Sequence, residues 1–289
     1  MSWGLPQRAR LAGGRWHFQH GPIDLVIGVD GSRSACNAAL GDCWRRFETV
    51  LVELVAELPA LRSNAMPRDR FTGPIARRMA AACEPYWRDF GLFITPMAAV
   101  AGSVADDLIG CFARPEIERA YVNNGGDIAL HLGEHAAYDV GLIADIDRPA
   151  ASGAFRITAE SGIRGIATSG WRGRSFSLGI ADSVTVLART AAAADAAATM
   201  IANQVNVDHP AIVRRPADSL KDDTDLGSLE VTVAVGVLPV PEQDVALDRG
   251  ARFAEQALSL ALIDQAALSL AGRWRIVGPV ALESAPLAA

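Results

Sequence analysis

The chain has 289 residues, 50% of them hydrophobic and 21% charged, with a formal net charge of −6. That composition suits a soluble protein with a sizeable core, and its scattered arginine pairs (45–46, 77–78 and 214–215) give no basic footprint for nucleic acid. No apolar run reaches the roughly 18 residues of a membrane span. The four cysteines, Cys36, Cys43, Cys83 and Cys111, lack CxxC spacing, so free thiols are expected rather than a disulfide framework or zinc site.

Residues 1–14 read as an N-terminal tail without the apolar core of a signal peptide, which points to a cytoplasmic protein. Trp16–Phe18 and Ile23–Val29 flank the turn signal His20-Gly21-Pro22 and predict a β-hairpin. Ser32 or Ser34 then caps a long helix to about Leu58, with Trp44, Phe47, Leu51, Leu54, Val55 and Leu58 as its apolar stripe. After a loop at 64–71, a second helix runs from Gly73 to Phe90, kinked or interrupted near Pro85. A loop of small residues, Met97–Ser103, leads into a third helix, Ser103–Cys111.

Strands are expected at Ala120–Asn123, Ile128–Leu132, Tyr138–Ile143, Ala154–Thr158, Gly165–Thr168 and Ser183–Leu187. An alanine-rich helix covers Ala191–Asn203, followed by a polar loop at 208–227 and a strand at Leu229–Val237. A long amphipathic helix is predicted over Pro241–Ala271 and a last strand over Trp274–Val280. The pattern is α+β, a mainly antiparallel sheet covered by long helices, read as one domain over 15–289.

Within the alanine-rich helix the oxygen-bearing side chains before Asn203 are Asp195 and Thr199. Four residues apart, they share a helical face, and a carboxylate with a hydroxyl suits a hard cation such as Mg²⁺; the plainer alternative, favoured by the residues alone, is a solvated carboxylate and a threonine bonded back to its i−4 carbonyl. Asn123-Asn124-Gly125-Gly126-Asp127 reads as a hairpin turn or as a loop over which a ligand meets the main chain. Gly102-Ser103-Val104-Ala105-Asp106-Asp107 stands where a helix begins, so it offers either a Ser103 cap with acidic residues in the first turn, or amides for a phosphate. Asp182, just before a strand, reads as a turn residue, or, in an enzyme, as the carboxylate that assists proton transfer. His131 and His135 have helical metal spacing, but Gly133 and the strand pattern speak against a metal pair.

In chain order, Gly102-x-x-x-Asp106, Asn123 to Ile128, Thr168-Ser169-Gly170, Ser183-Val184-Thr185-Val186 and Ala194-Asp195-x-x-x-Thr199 form a set that resembles the ApbE-like superfamily, which includes Mg²⁺-dependent FAD:protein FMN transferases. The resemblance covers about residues 15–205. It implies a T-fold-like α+β architecture, with Asp195 and Thr199 as Mg²⁺ ligands. It further implies Gly102, Asp106, Asn123, Asn124, Gly125, Gly126, Asp127, Thr168, Ser169 and Gly170 around FAD or FMN. Two departures accompany it: Ala101 stands where the transferases have lysine, and Trp171–Asp182 contains no histidine where they have a His-Ile-Ile-Asp-Pro segment. The chain is therefore similar to a cytoplasmic branch lacking the His-containing segment.

The function expected is Mg²⁺-assisted binding of a flavin nucleotide or similar phosphorylated heterocycle, with FMN transfer to an acceptor protein as its enzymatic form. The alternative is a binding protein, non-catalytic or differently catalytic, that keeps the fold without flavin transfer. The expected partners are a nucleotide-like small molecule and an acceptor protein, not nucleic acid or membrane; homo-oligomerisation stays open.

Overall fold

The computed structural model describes residues 3–145 and 148–279. Its strands are β1 (Gln7–Arg10), β2 (Trp16–His20), β3 (Ile23–Gly31), β4 (Ile117–Asn124), β5 (Asp127–Leu132), β6 (Ala137–Asp145), β7 (Arg148–Thr158), β8 (Gly165–Ser169), β9 (Ser183–Ala188), β10 (Ile212–Pro216), β11 (Glu230–Val235), β12 (Gln265–Leu270) and β13 (Arg273–Val277). Its α-helices are α1 (Arg33–Ala56), α2 (Leu58–Leu61), α3 (Pro74–Arg88), α4 (Val100–Ile109), α5 (Ala191–Gln204) and α6 (Val240–Ser259), with short 3₁₀ turns such as Pro96–Ala99 and Gly110–Phe112. The class is α+β, and the registered strand pairs are antiparallel.

The chain divides into two compact units: Met1–Tyr138 with Ile157–Ala167 and Arg189–Ala196, and Asp139–Arg156 with Thr168–Ala188 and Ala197–Ala289. The sequence reading drew a single domain over 15–289. The units interleave along the chain, so no linker or composition shift marks where one gives way to the other.

In the first unit, β1, β2, β3, β4 and β5 follow one another in the sheet, and Ile128 of β5 faces Ile166 of β8. The hairpin at Gly21 forms as its turn signal predicts. Alternation along β3 buries Ile23, Leu25 and Ile27 against Phe47, Val50 and Leu54 of α1 and Val104 and Leu108 of α4. Ser32 caps α1, its hydroxyl accepting from the Ala35 amide. The core-facing stripe of α1 includes Ala39, Cys43 and Val50, while Val55, expected inside, is exposed. β1 pairs with β2 through Gln7–Arg10, so part of the expected tail is an edge strand.

In the second unit, β12 lies between β9 and β13, and α6 packs over it. Gly250 of α6 makes that packing close, because a Cβ there would meet Val205 Cγ2 at 2.3 Å and Leu268 Cδ2 at 2.8 Å. β10 and β11 form a separate two-stranded ribbon with a bulge at Val213/Arg214.

Several boundaries differ from the sequence expectation. The long helix predicted over Pro241–Ala271 stops at Ser259, and Gln265–Leu270 is a strand. All six residues of β12 are buried, Gln265 and Ser269 included, so neither face is exposed and the period-2 signal that marks a half-exposed strand is missing. The loop predicted at 208–227 contains β10, whose Arg214 and Arg215 mask a short alternating strand. Pro85 sits inside α3 without ending it, because the helix continues only to Arg88 and few hydrogen bonds depend on that turn. The third helix begins at Val100, not Ser103, since Pro96-Met97-Ala98-Ala99 already turns helically and alanine favours continuation. Residues 1–2 of the predicted tail, Val280 of the predicted last strand and the stretch to 289 lie outside the described residues.

Candidate functional site

Starting α4 three residues earlier changes the meaning of its motif. Val100, Ala101 and Gly102 occupy the first helical turn, whose amides have no partner within the helix. Ser103 is therefore not the cap; its hydroxyl is buried without a hydrogen-bond partner. Asp106 and Asp107 lie beyond the first turn, because the helix was already under way before Ser103.

The α4 amides are taken by a distant carboxylate. Asp195 Oδ2 accepts from Gly102 N at 2.9 Å, and the Ala101 amide also bonds Asp195. In return, Asp106 accepts at the start of α5: Ala191 N donates to Oδ1 and Ala192 N to Oδ2, both at 2.9 Å. Thr190 completes that end, its hydroxyl taking Ala193 N at 3.1 Å. The first three amides of α5 are thus all satisfied by side-chain oxygens. Each helix caps the other with an aspartate one turn in, and each carboxylate faces the positive end of the partner's dipole.

The spacing within each helix permits this reciprocity. Gly102 and Asp106 are four residues apart on α4, as are Ala191 and Asp195 on α5, so each pair lies on one helical face. Gly102 meets Ala191 at the crossing: a Cβ on Gly102 would sit 2.2 Å from the Ala191 carbonyl oxygen. Gly165 is pressed against the same segment, where a Cβ would lie 2.1 Å from the Thr190 carbonyl carbon. Sequence reasoning missed the role of Gly165 and of Thr190; their signal was a glycine opening a strand and a threonine directly before an alanine helix.

The hairpin between β4 and β5 joins the same assembly. Gly125 and Gly126 have φ of 68° and 113°, so the two-residue turn is made by residues that tolerate the left-handed region. Asn123 Oδ1 accepts from Gly126 N at 2.8 Å and steadies the turn. Asn124 Nδ2 donates to Ala101 O at 3.1 Å, tying β4 to the first turn of α4. Asp127 is close enough for its charge to act on Asp195.

Electrostatics concentrate on Asp195. Burial holds its carboxyl well above the usual carboxylate range, and the Asp127 charge pushes it further, while the Gly102 and Ala101 amides pull it down. Burial also raises Asp106, against the amides of Ala192 and Ala191 and the charge of Arg78. Asp195 and, one turn on, Thr199 each keep part of their surface open. Among the described residues no cluster of three His, Cys, Asp or Glu side chains could hold a metal ion by itself.

The remaining predicted residues belong to the second unit. Thr168 Oγ1 hydrogen-bonds Thr185 Oγ1 at 2.9 Å, linking the Thr-Ser-Gly segment to the Ser-Val-Thr-Val strand. Ser169 ends β8, and Gly170 is pressed to the main chain, since a Cβ would lie 2.4 Å from Asp182 O. Asp182 accepts from Ala271 N at 2.6 Å and Trp171 Nε1 at 3.3 Å, with Arg172 Nε at 3.4 Å. Trp171, Arg172 and Asp182 line an open cavity of about 330 Å³ with Leu238, Gln243 and Leu270. His131, set aside as a metal ligand, instead bonds Ile117 O at 3.2 Å.

A family model described as AbpE bacteria matches residues 8–276. The chain belongs to that family. The ApbE-like superfamily read from the ordered motifs agrees with it. Among curated relatives of this AbpE-family chain, the UPF0280 protein MK0206 of Methanopyrus kandleri is 35% identical over 80% of this chain and 92% of its own length. A UPF0280 protein of Methanospirillum hungatei is 33% identical over 67% of this chain and 76% of its own. The flavinyl transferase ApbE of Pseudomonas stutzeri, in its apo form, aligns with a TM-score of 0.47 at 12% identity over 96% of both chains, a likeness that decides nothing by itself. No helix among the described residues is long and apolar enough to cross a membrane.

Proposed function

We propose that this AbpE-family chain binds a flavin nucleotide, FAD or FMN, or a similar phosphorylated heterocycle together with Mg²⁺, with Asp195 and Thr199 as the metal's protein ligands. The observation that carries this reading is the setting of Asp195: a desolvated carboxylate beside the charge of Asp127, on a helix face that keeps some surface open. A buried carboxylate that also feels the charge of a second carboxylate is relieved by a cation. The donors fit Mg²⁺, which takes oxygen ligands and completes its shell with waters and phosphate rather than with a protein cage. Bound there, the ion would neutralise a pyrophosphate.

The chain's own residues supply the rest. The glycine turn at Gly125 and Gly126 lets a ligand approach the main chain without meeting a Cβ. Because Asp195 and Asn124 already occupy the amides and the Ala101 carbonyl at the start of α4, the phosphate is not assigned to that helix terminus. Thr168, Ser169 and Gly170 are proposed as further nucleotide contacts, following the motif resemblance. For transfer to an acceptor protein, Asp182 is the carboxylate proposed to take the hydroxyl proton. Its three donors favour a second reading in which it anchors the 171–182 segment of a non-transferring binding protein.

Calorimetric titration with FAD, FMN and ADP, with and without Mg²⁺, tests the first reading. Asp195→Asn keeps an acceptor for the α4 amides but removes the charge, so the fold is retained. It is expected to weaken Mg²⁺-dependent binding by about tenfold or more, equivalent to about 1.4 kcal/mol. Binding that ignores both Mg²⁺ and Asp195→Asn would overturn the metal assignment. An FMN mass adduct on an acceptor protein, abolished by Asp182→Asn in a folded protein, would decide for transfer over binding alone.

A further inference from the structure

The sheet of the first unit ends on β1, and all four residues of that edge strand are exposed. Its register sets Arg8 opposite Phe18 and Arg10 opposite Trp16, so both arginines stand on the face turned towards α1. The Arg8 guanidinium lies 4.8 Å from the centre of the Trp44 ring and 6.0 Å from that of Trp16. The Arg10 guanidinium lies 5.9 Å from the Trp16 ring. Among the described residues no carboxylate pairs with either arginine. In the second unit the edge strand β13 has the same spacing with the opposite outcome. There Arg273 and Arg275 are neutralised by Asp244 and Asp248 of α6, at 2.8 to 3.0 Å.

The main chain of β1 is open as well. Leu11 N donates to Arg15 O at 2.8 Å where β1 runs on towards β2. Antiparallel alternation from that bond turns the main-chain groups of Gln7 and Ala9 towards β2 and those of Arg8 and Arg10 outward. Such a row of N–H and C=O groups is a template for another strand. A cavity of about 110 Å³ opens beside Arg8, between Trp16 of β2 and Asn37 and Leu40 of α1, where an incoming side chain can reach that guanidinium.

We propose that β1 is a docking edge for an extended acidic segment of a partner protein, which adds as a further strand and sets carboxylates against Arg8 and Arg10. Alternate residues of a strand share a face, so acidic residues two apart meet both arginines while the residue between them passes Ala9 on the other face. A second copy of this chain is the wrong occupant. Pairing β1 with β1 would set arginine against arginine, and like charges across a ladder repel. The charge that guards the edge against self-pairing therefore selects an acidic strand. This surface is independent of the proposed nucleotide site.

Fluorescence anisotropy of the intact chain with a labelled peptide that alternates glutamate and threonine tests the proposal. Saturable binding is expected, weakening as salt rises and by about tenfold or more in the Arg8→Gln/Arg10→Gln variant. In the wild-type chain the peptide is expected to slow hydrogen exchange at the Arg8 and Arg10 amides. The same peptide N-methylated along its main chain keeps its charge but loses its donors, and is expected not to bind. No binding, equal binding of the methylated peptide or of heparin, or protection appearing away from β1 would each overturn the proposal. So would a dimer in sedimentation whose β1 amides are protected without peptide. Should the double variant fail to fold, the exchange map and the methylated peptide on the wild-type chain decide.

Discussion

Gly102→Ala is expected to destabilise the protein by about 3 kcal/mol or more, although glycine-to-alanine changes inside helices normally gain roughly 1 kcal/mol. The added Cβ would stand 2.2 Å from Ala191 O, 2.5 Å from Ala191 C and 2.8 Å from Ala192 N. Those are main-chain atoms at the start of α5, so no side chain can swing aside. Relief requires α4 and α5 to separate, which lengthens the bonds from Asp106 and Asp195 at the same time. Gly41→Ala in α1 is the matched control, since its Cβ would meet only Arg45 Nη1 at 3.7 Å. That variant is expected to gain about 0.5–1 kcal/mol. Urea denaturation of both variants measures the contrast. Equal shifts for the two would mean that the α4–α5 approach is not tight.

Asp106→Ala carries the second large effect, a loss of about 3 kcal/mol, because it strips two charge-assisted hydrogen bonds and orphans two amides at the start of α5. Asp106→Asn retains an acceptor oxygen and is expected to cost about half as much. The order Ala worse than Asn separates capping from mere proximity of charge. The α5 amides of Ala191 and Ala192 should also lose hydrogen-exchange protection in Asp106→Ala, while α1 is unaffected locally. An unchanged midpoint in Asp106→Ala would show that water satisfies those amides equally well.

How far the site was legible in the sequence depends on the distance over which each signal acts. The hairpins at Gly21 and at Gly125-Gly126 could be read because a turn residue sits between alternating strands, and both signals are local. The Ser32 cap and the α5 boundaries were local as well. The start of α4 was misplaced because Pro96-Met97-Ala98-Ala99 and Val100-Ala101-Gly102 contain no polar cap, so small residues looked like a loop. β12 was absorbed into a helix because a strand buried on both faces loses its alternation.

The partners of Asp106 and Asp195 were illegible for a different reason. The Asp106–Ala191 bond spans 85 positions and the Asp195–Gly102 bond 93, and nothing in a composition window announces a cap supplied from so far away. What sequence did supply was the i, i+4 spacing of Gly102 with Asp106, a pattern suited to one helix face. Read with the structure, Asp195 caps α4, and the proposed function gives it a second task as the carboxylate offered to a cation.

A crystal structure of the protein soaked with Mg²⁺ and FAD tests that double role most directly. The account predicts an ion on the Asp195 carboxylate with Thr199 as the second protein ligand and phosphate oxygens completing its shell, while Gly102 N remains bonded to Asp195. Nucleotide bound elsewhere, with Asp195 engaged only by the Ala101 and Gly102 amides, would contradict it and leave Asp195 as a cap alone.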